Sequence, residues 1–294
     1  MLTTIYQMND KKMPDKFLKY LITEKGRQPR TIEAYQFELN RFQSYLDKSW
    51  QDITKQDIRN YLDSLANTNS ASARARSLSS IKSFFNYLVR EGHIINNPTD
   101  GIDAPKIPKK EPKPLSVEEC TKLISVIKEF SNGHKTCMRD IAIIQMFLNT
   151  GIRLSELCNL TRENVNLEQR AIKIIRKGGN EQTIPLNSQI TAILRKYESR
   201  QIEQDGFYFL SNRKRQLHPN TVQKMVEKYL FFADIKNHSV HSLRHTFATI
   251  LAKQHPLQIV QDLMGHKNPQ TTIRYIKIAE QDRQTAVESI RIGR

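Results

Sequence analysis

Between His241 and Tyr275 the sequence gathers side chains suited to chemistry on a phosphodiester. It runs His241-Ser242-Leu243-Arg244-His245, then an apolar helical segment, then Leu263-Met264-Gly265-His266, and after Asn268-Pro269 it reaches Arg274-Tyr275. Upstream, Thr150-Gly151-Ile152-Arg153-Leu154-Ser155-Glu156 places another arginine in a turn between apolar segments. Guanidinium groups are planar, permanently charged forks that match anionic oxygens. Histidines exchange protons near neutral pH, and a tyrosine hydroxyl can act as a covalent nucleophile. His241 and Arg244 stand three apart at a helix start and so share a face. His241 and His245, four apart, also suggest a metal pair. The zinc-protease pattern needs Glu after the first histidine, however, and Ser242 occupies that place, with no cysteine nearby. We therefore expect no metal.

Five boxes in fixed order carry a resemblance. They are Thr150 to Leu157, the hairpin Arg176-Lys177-Gly178-Gly179-Asn180, His241 to His245, Leu263 to His266, and Tyr275 nine positions after His266. In this the chain resembles the tyrosine site-specific recombinases of the phage-integrase type, in their compact Xer-like form. The resemblance implies that Tyr275 attacks a DNA phosphate, leaving a 3′-phosphotyrosyl bond and a free 5′-hydroxyl. Arg153 and Arg244 would stabilise the charge on five-coordinate phosphorus, and Lys177 would protonate the departing 5′-oxygen. Lys173 and Arg176 are close enough in sequence to compete for that role. His241 would assist proton removal from the tyrosine or bind the phosphate, and His266 would hydrogen-bond a non-bridging oxygen. Glu156 would orient the arginine turn, and His245 would be structural support. Bond energy is conserved, so no ATP and no cofactor are implied.

The implied partners are double-stranded DNA core sites and further copies of the chain, as a cyclic tetramer on two sites passing through a Holliday junction. A second recombinase or an accessory DNA-binding protein stays open. So does the tail after Tyr275, which would dock on a neighbouring subunit or fold back in cis. The chain lacks room for an additional arm-binding domain, which favours resolution of dimers or cointegrates. The alternatives are an integrase or excisionase of a mobile element, a type IB topoisomerase-like relaxing enzyme, and a non-enzymatic DNA-binding scaffold.

The elements that must position these residues are mostly helical. Apolar spacing predicts a helix from Pro14 with Phe17, Leu18, Leu21 and Ile22, and a second from Thr31 with Ile32, Tyr35, Phe37, Leu39, Phe42, Tyr45 and Leu46. A third carries Ile58, Tyr61, Leu62 and Leu65. A fourth runs from about Ala73 to Glu91, with Arg74, Arg76 and Lys82 on its polar face. This reads as a four-helix bundle over 1–103. By resemblance it is the SAM-like core-binding domain that clamps DNA, with those three basic residues toward the duplex. Over 104–114, Pro105, Pro108, Pro112 and Pro114 alternate with Lys106, Lys109, Lys110 and Lys113. Proline blocks a helix, so this is an extended linker whose lysines suit a phosphate backbone.

The catalytic domain would occupy 115–294. Ser116 to Glu119 forms a capping box. Arg139 to Asn149 is apolar almost all round and predicts a buried central helix that delivers the chain to Gly151. Residues 171–186 change period and predict a β-hairpin. Its Gly-Gly turn lacks the spacing of a nucleotide loop. The fold class expected is thus mostly α with a small β-hairpin or sheet (α+β).

The bulk numbers agree with a polyanion partner. Lys and Arg total 46 against 30 Asp and Glu, a formal net charge of +16 over 294 residues. Cys120, Cys137 and Cys158 form no CxxC pair and read as reduced, mostly buried thiols. No apolar run reaches bilayer-spanning length, and the N-terminus lacks a signal-peptide core. We expect a cytoplasmic protein with no membrane partner.

Overall fold

The computed structural model describes residues 12–107, 113–130, 136–176, 179–200, 206–266, 268–273 and 275. The chain divides into two compact units, Met1–Lys109 and Lys110–Arg294.

The first unit holds α1 (Met13–Thr23), α2 (Pro29–Leu46), α3 (Lys55–Ser64) and α4 (Ala71–Arg90). The breaks follow local chemistry. Pro29 opens α2, where its missing N–H costs nothing. Thr54 and Asp57 cap α3 reciprocally, and the Ser70 side chain accepts from the Ala73 amide to start α4. Phe17, Leu39, Phe42, Ile58, Ile81, Phe84 and Phe85 are fully buried. Trp50, in the α2–α3 connection, drops into this core and meets Phe84 edge-on at 4.7 Å between centroids. Three apolar positions expected to be packed are not. Ile22, Phe37 and Tyr45 are 55%, 63% and 47% exposed. The inward stripe of each helix is narrower than its apolar composition, and the aromatic core with Trp50 already fills the space.

The second unit is built around α6 (Cys137–Thr150), whose residues from Asp140 to Phe147 are all buried. Its neighbours include α5 (Val117–Phe130), α8 (Ser188–Glu198) and α10 (Val240–Gln254). The buried carboxylate of Asp140 is matched by Arg139 at 2.9 Å and by the Tyr229 hydroxyl at 2.9 Å. After α7 (Leu154–Cys158), a small antiparallel sheet is ordered β1 (Val165–Asn166), β2 (Ala171–Ile175), β3 (Glu181–Pro185). Ile172 pairs with Ile184 on its buried side, and Ile175 pairs with Glu181 at the open end. The remaining elements are α9 (Pro219–Phe232), α11 (Leu257–Met264) and the short α12 (Gln270–Ile273). The fold is mostly helical with a three-stranded sheet, one strand more than a bare hairpin. No described helix is long and apolar enough to cross a membrane.

Candidate active site

Two left-handed glycines build the frame. Gly151 ends α6 at φ 60°, and a Cβ there would collide with the Phe247 ring. The turn throws Arg153 to the start of α7. Gly265 ends α11 at φ 58° and turns the chain into His266.

The carbonyls at the end of α11 are the meeting point. A helix C-terminus leaves its last carbonyls unpaired and partly negative. Arg244 of α10 donates to Met264 O at 2.6 Å and to Gly151 O. Arg153 donates to Gly265 O at 2.9 Å and, more weakly, to Met264 O at 3.3 Å. Arg176 donates to Leu263 O at 2.8 Å. Thus three guanidinium groups from distant parts of the sequence converge on one helix end.

Glu156 offsets part of this charge, pairing with Arg153 and Arg176. Its Oε2 accepts from the Arg153 amide at 2.8 Å, and its Oε1 accepts from Arg153 Nη1 at 2.7 Å. Arg176 Nη1 donates to both carboxylate oxygens at 3.0 and 2.9 Å. Burial pulls the Glu156 pKa up, but the Arg153 hydrogen bonds and the two positive charges outweigh it and hold the carboxyl below its usual range. Burial, reinforced by the Arg153 charge, brings the Arg244 pKa down to about 10.

His266 is half-buried, with Nε2 at 3.5 Å from Arg244 Nη2 and Nδ1 at 2.8 Å from the hydroxyl of buried Thr272. Asn268 accepts from the Gln270 amide and starts α12. Tyr275 follows the short α12, in a turn. Its ring is 2% exposed and packs with Ala248, Val260 and Met264. It lies 6.4 Å from the His266 ring, nearly parallel at 12°. Its hydroxyl is 2.6 Å from Nδ1 of His245. His245, read from sequence as structural support, is therefore in direct contact with the proposed nucleophile.

Arg153, Arg244, His266 and Tyr275 are thus gathered at one place. His241 is exposed in the first turn of α10, one turn ahead of Arg244. Lys177 lies outside the described residues, as do Lys109, Lys110 and the tail after Tyr275. Its two sequence competitors are engaged elsewhere, Lys173 with Glu181 at 2.5 Å and Arg176 with Glu156. In the first unit Arg76 is exposed and Arg74 half-buried on α4, and Lys106 is exposed. Lys82 is turned to its own unit, donating to Ile102 O at 2.6 Å. Sequence reasoning did not find Thr272 or the burial of Arg176. A threonine six residues beyond a histidine carries no signal until the α11–α12 turn brings them together. Among the described residues, no three His, Cys, Asp or Glu side chains gather as a metal site.

Known proteins share this arrangement of sequence and fold. The phage integrase family profile matches residues 113–282, and the profile of the phage integrase N-terminal SAM-like domain matches residues 15–92. The chain belongs to the phage integrase family. It is 32% identical to tyrosine recombinase XerC of Myxococcus xanthus, over 94% of this chain and 96% of that one. It is 34% identical to XerC of Shewanella amazonensis, over 90% of each chain. The fold matches a lambda integrase dimer bound to a COC′ core site, with TM-score 0.76, 20% identity and coverage of 90% and 93%. It also matches XerH bound to a palindromic difH substrate, with TM-score 0.75, 22% identity and coverage of 94% and 84%. The molecule is a tyrosine recombinase, a DNA-binding enzyme of site-specific recombination. Its first unit is the SAM-like domain and its second the integrase catalytic domain.

Proposed function

We propose that this recombinase cuts and rejoins DNA core sites through a 3′-phosphotyrosyl intermediate, with Tyr275 as nucleophile. The observation that carries the reading is the convergence of Arg153, Arg244 and His266 on the end of α11, with Tyr275 packed beneath them. Tyr275 Oη forms a bond to phosphorus as the bond from phosphorus to the 5′-oxygen breaks. The tyrosine proton passes to His245, the base already at the hydroxyl, and Lys177 supplies a proton to the departing 5′-oxygen. Arg153 and Arg244 neutralise the charge that builds on the non-bridging oxygens. Each is worth roughly the 10²–10³-fold seen for preorganised oxyanion donors. His266, fixed at Nδ1 by Thr272, turns Nε2 to the same oxygens. His241, exposed at the first turn of α10, adds a phosphate contact where the helix end is partly positive.

Religation is the reverse reaction, with the 5′-hydroxyl of another strand attacking the phosphotyrosine. No bond energy is lost, and neither cofactor nor metal enters. Paired exchanges pass through a Holliday junction in a cyclic tetramer; lambda integrase, a fold relative at TM-score 0.76 and 20% identity, was solved as a tetramer bound to a Holliday junction. The first unit clamps the duplex through Arg74 and Arg76. The linker over 104–114 follows the phosphates through Lys106, Lys109 and Lys110. The biological product is resolution of dimers or cointegrates.

A supercoiled plasmid with two direct copies of the DNA flanking the gene tests this. Two smaller circles, four-way intermediates, and breaks at a fixed position in each copy are expected. Relaxation of the plasmid without exchange would instead favour a topoisomerase-like enzyme.

A further inference from the structure

Arg176 is a buried charged group at the site that the mechanism leaves unused. Its side chain is 8% exposed, and it donates to four acceptors: both Glu156 oxygens, Gln182 Oε1 at 2.7 Å and Leu263 O at 2.8 Å. Gln182 in turn donates to Asp262 O at 2.7 Å. The fit is close, because a Cβ on Gly265 would stand 2.6 Å from Arg176 Nε. One guanidinium therefore ties the end of β2, the Arg153 turn and the turn that carries His266.

We propose that Arg176 is a positioning and charge-setting residue for cleavage, acting through Glu156 and the α11 carbonyls without touching DNA. The inference rests on the recombinase mechanism above. A buried ion pair replaced whole by apolar residues often costs little stability, but removing one partner strands the other's charge. Its consequence here is electrostatic. Arg153, Glu156 and Arg176 together carry one net positive charge. Without Arg176 that becomes zero, and Glu156 competes with the phosphate for Arg153 undivided. Releasing Leu263 O also frees the segment that sets Gly265 and His266.

The test compares Arg176→Met and Arg176→Lys with wild type on nicked duplexes carrying the mapped break site. One duplex has a normal phosphate at the break, and the other an uncharged methylphosphonate. Tyr275→Phe and Arg153→Ala are the references. On the normal phosphate, Arg176→Met is expected to melt below wild type, because buried Glu156 keeps only Arg153, yet to bind DNA like wild type and cleave roughly 10- to 100-fold more slowly. Its deficit should shrink at least severalfold on the methylphosphonate, as should that of Arg153→Ala, because less charge then needs neutralising. Arg176→Lys, which keeps the charge, should fall between. An equal deficit on both substrates, or cleavage at the wild-type rate, would overturn the proposal. If Arg176→Met fails to fold, Arg176→Gln, uncharged but able to donate to Glu156 and Leu263 O, takes its place, and its deficit must shrink on the methylphosphonate in the same way. Adducts persisting in Tyr275→Phe, or an Arg153→Ala deficit identical on both substrates, would instead indict the underlying mechanism.

Discussion

At the scale of single residues the site is set by what each group is held against. Arg244 is buried, beside Arg153, and its pKa falls to about 10. Still far above neutrality, it stays charged across the working range. A lysine in its place starts lower, at ~10.4, and the same burial and neighbouring Arg153 charge push it further toward neutrality. Cleavage by Arg244→Lys should therefore decline with rising pH before that of wild type does; parallel pH profiles would contradict this placement. Thr272 acts on His266 through a single hydrogen bond. Thr272→Val keeps the shape and removes the hydroxyl, which should cost about 1 kcal/mol, or roughly fivefold in cleavage rate with DNA affinity unchanged.

At the scale of elements, turns and caps decide where those residues arrive. Gly265→Ala forces a Cβ into Arg176 at a left-handed φ, and should lower both melting temperature and cleavage, costing about 1–2 kcal/mol of stability. In the first unit, the α3 cap makes a pH-sensitive joint. The Lys48 hydrogen bond, helped by Thr54, holds the Asp57 pKa down to about 2, against an unfolded value of 3.8. A depressed acid stabilises the fold above its unfolded pKa, and that contribution is lost as pH falls from about 4 through 2. Asp57→Asn should therefore flatten acid melting curves in that window. Much of this level was legible in the sequence. The buried Arg139 to Asn149 run, the hairpin over 171–186 and the turns at Gly151 and Gly265 follow from periodicity and glycine placement. What was not legible depends on distant packing. Trp50 sits in a loop by sequence yet fills a core, and Phe37 lies on an apolar-looking helix yet faces solvent. Likewise, the Arg176–Glu156 pair spans 20 residues, and only the fold brings α7 beside the end of β2.

For the whole molecule, the net charge of +16 makes DNA affinity fall with salt. If Arg74 and Arg76 each meet a phosphate, replacing both by alanine should weaken binding at every sequence alike and reduce the log–log salt slope by about two. An unchanged slope would take α4 off the DNA. The recognition that this is a recombinase came from boxes separated by up to 125 positions, from Thr150 to Tyr275. The fold explains their order, since the arginine turn, α10 and the α11–α12 turn all close on one helix end.

The most direct measurement is the identity of the residue that carries the DNA. Wild type and Tyr275→Phe would be incubated with a nicked duplex of the break site, denatured and digested, and the DNA-linked peptide sequenced by mass spectrometry. One peptide is expected from wild type, modified on Tyr275 through the 3′-phosphate, and none from Tyr275→Phe. A DNA-linked peptide from Tyr275→Phe, or a modification on another residue, would contradict it.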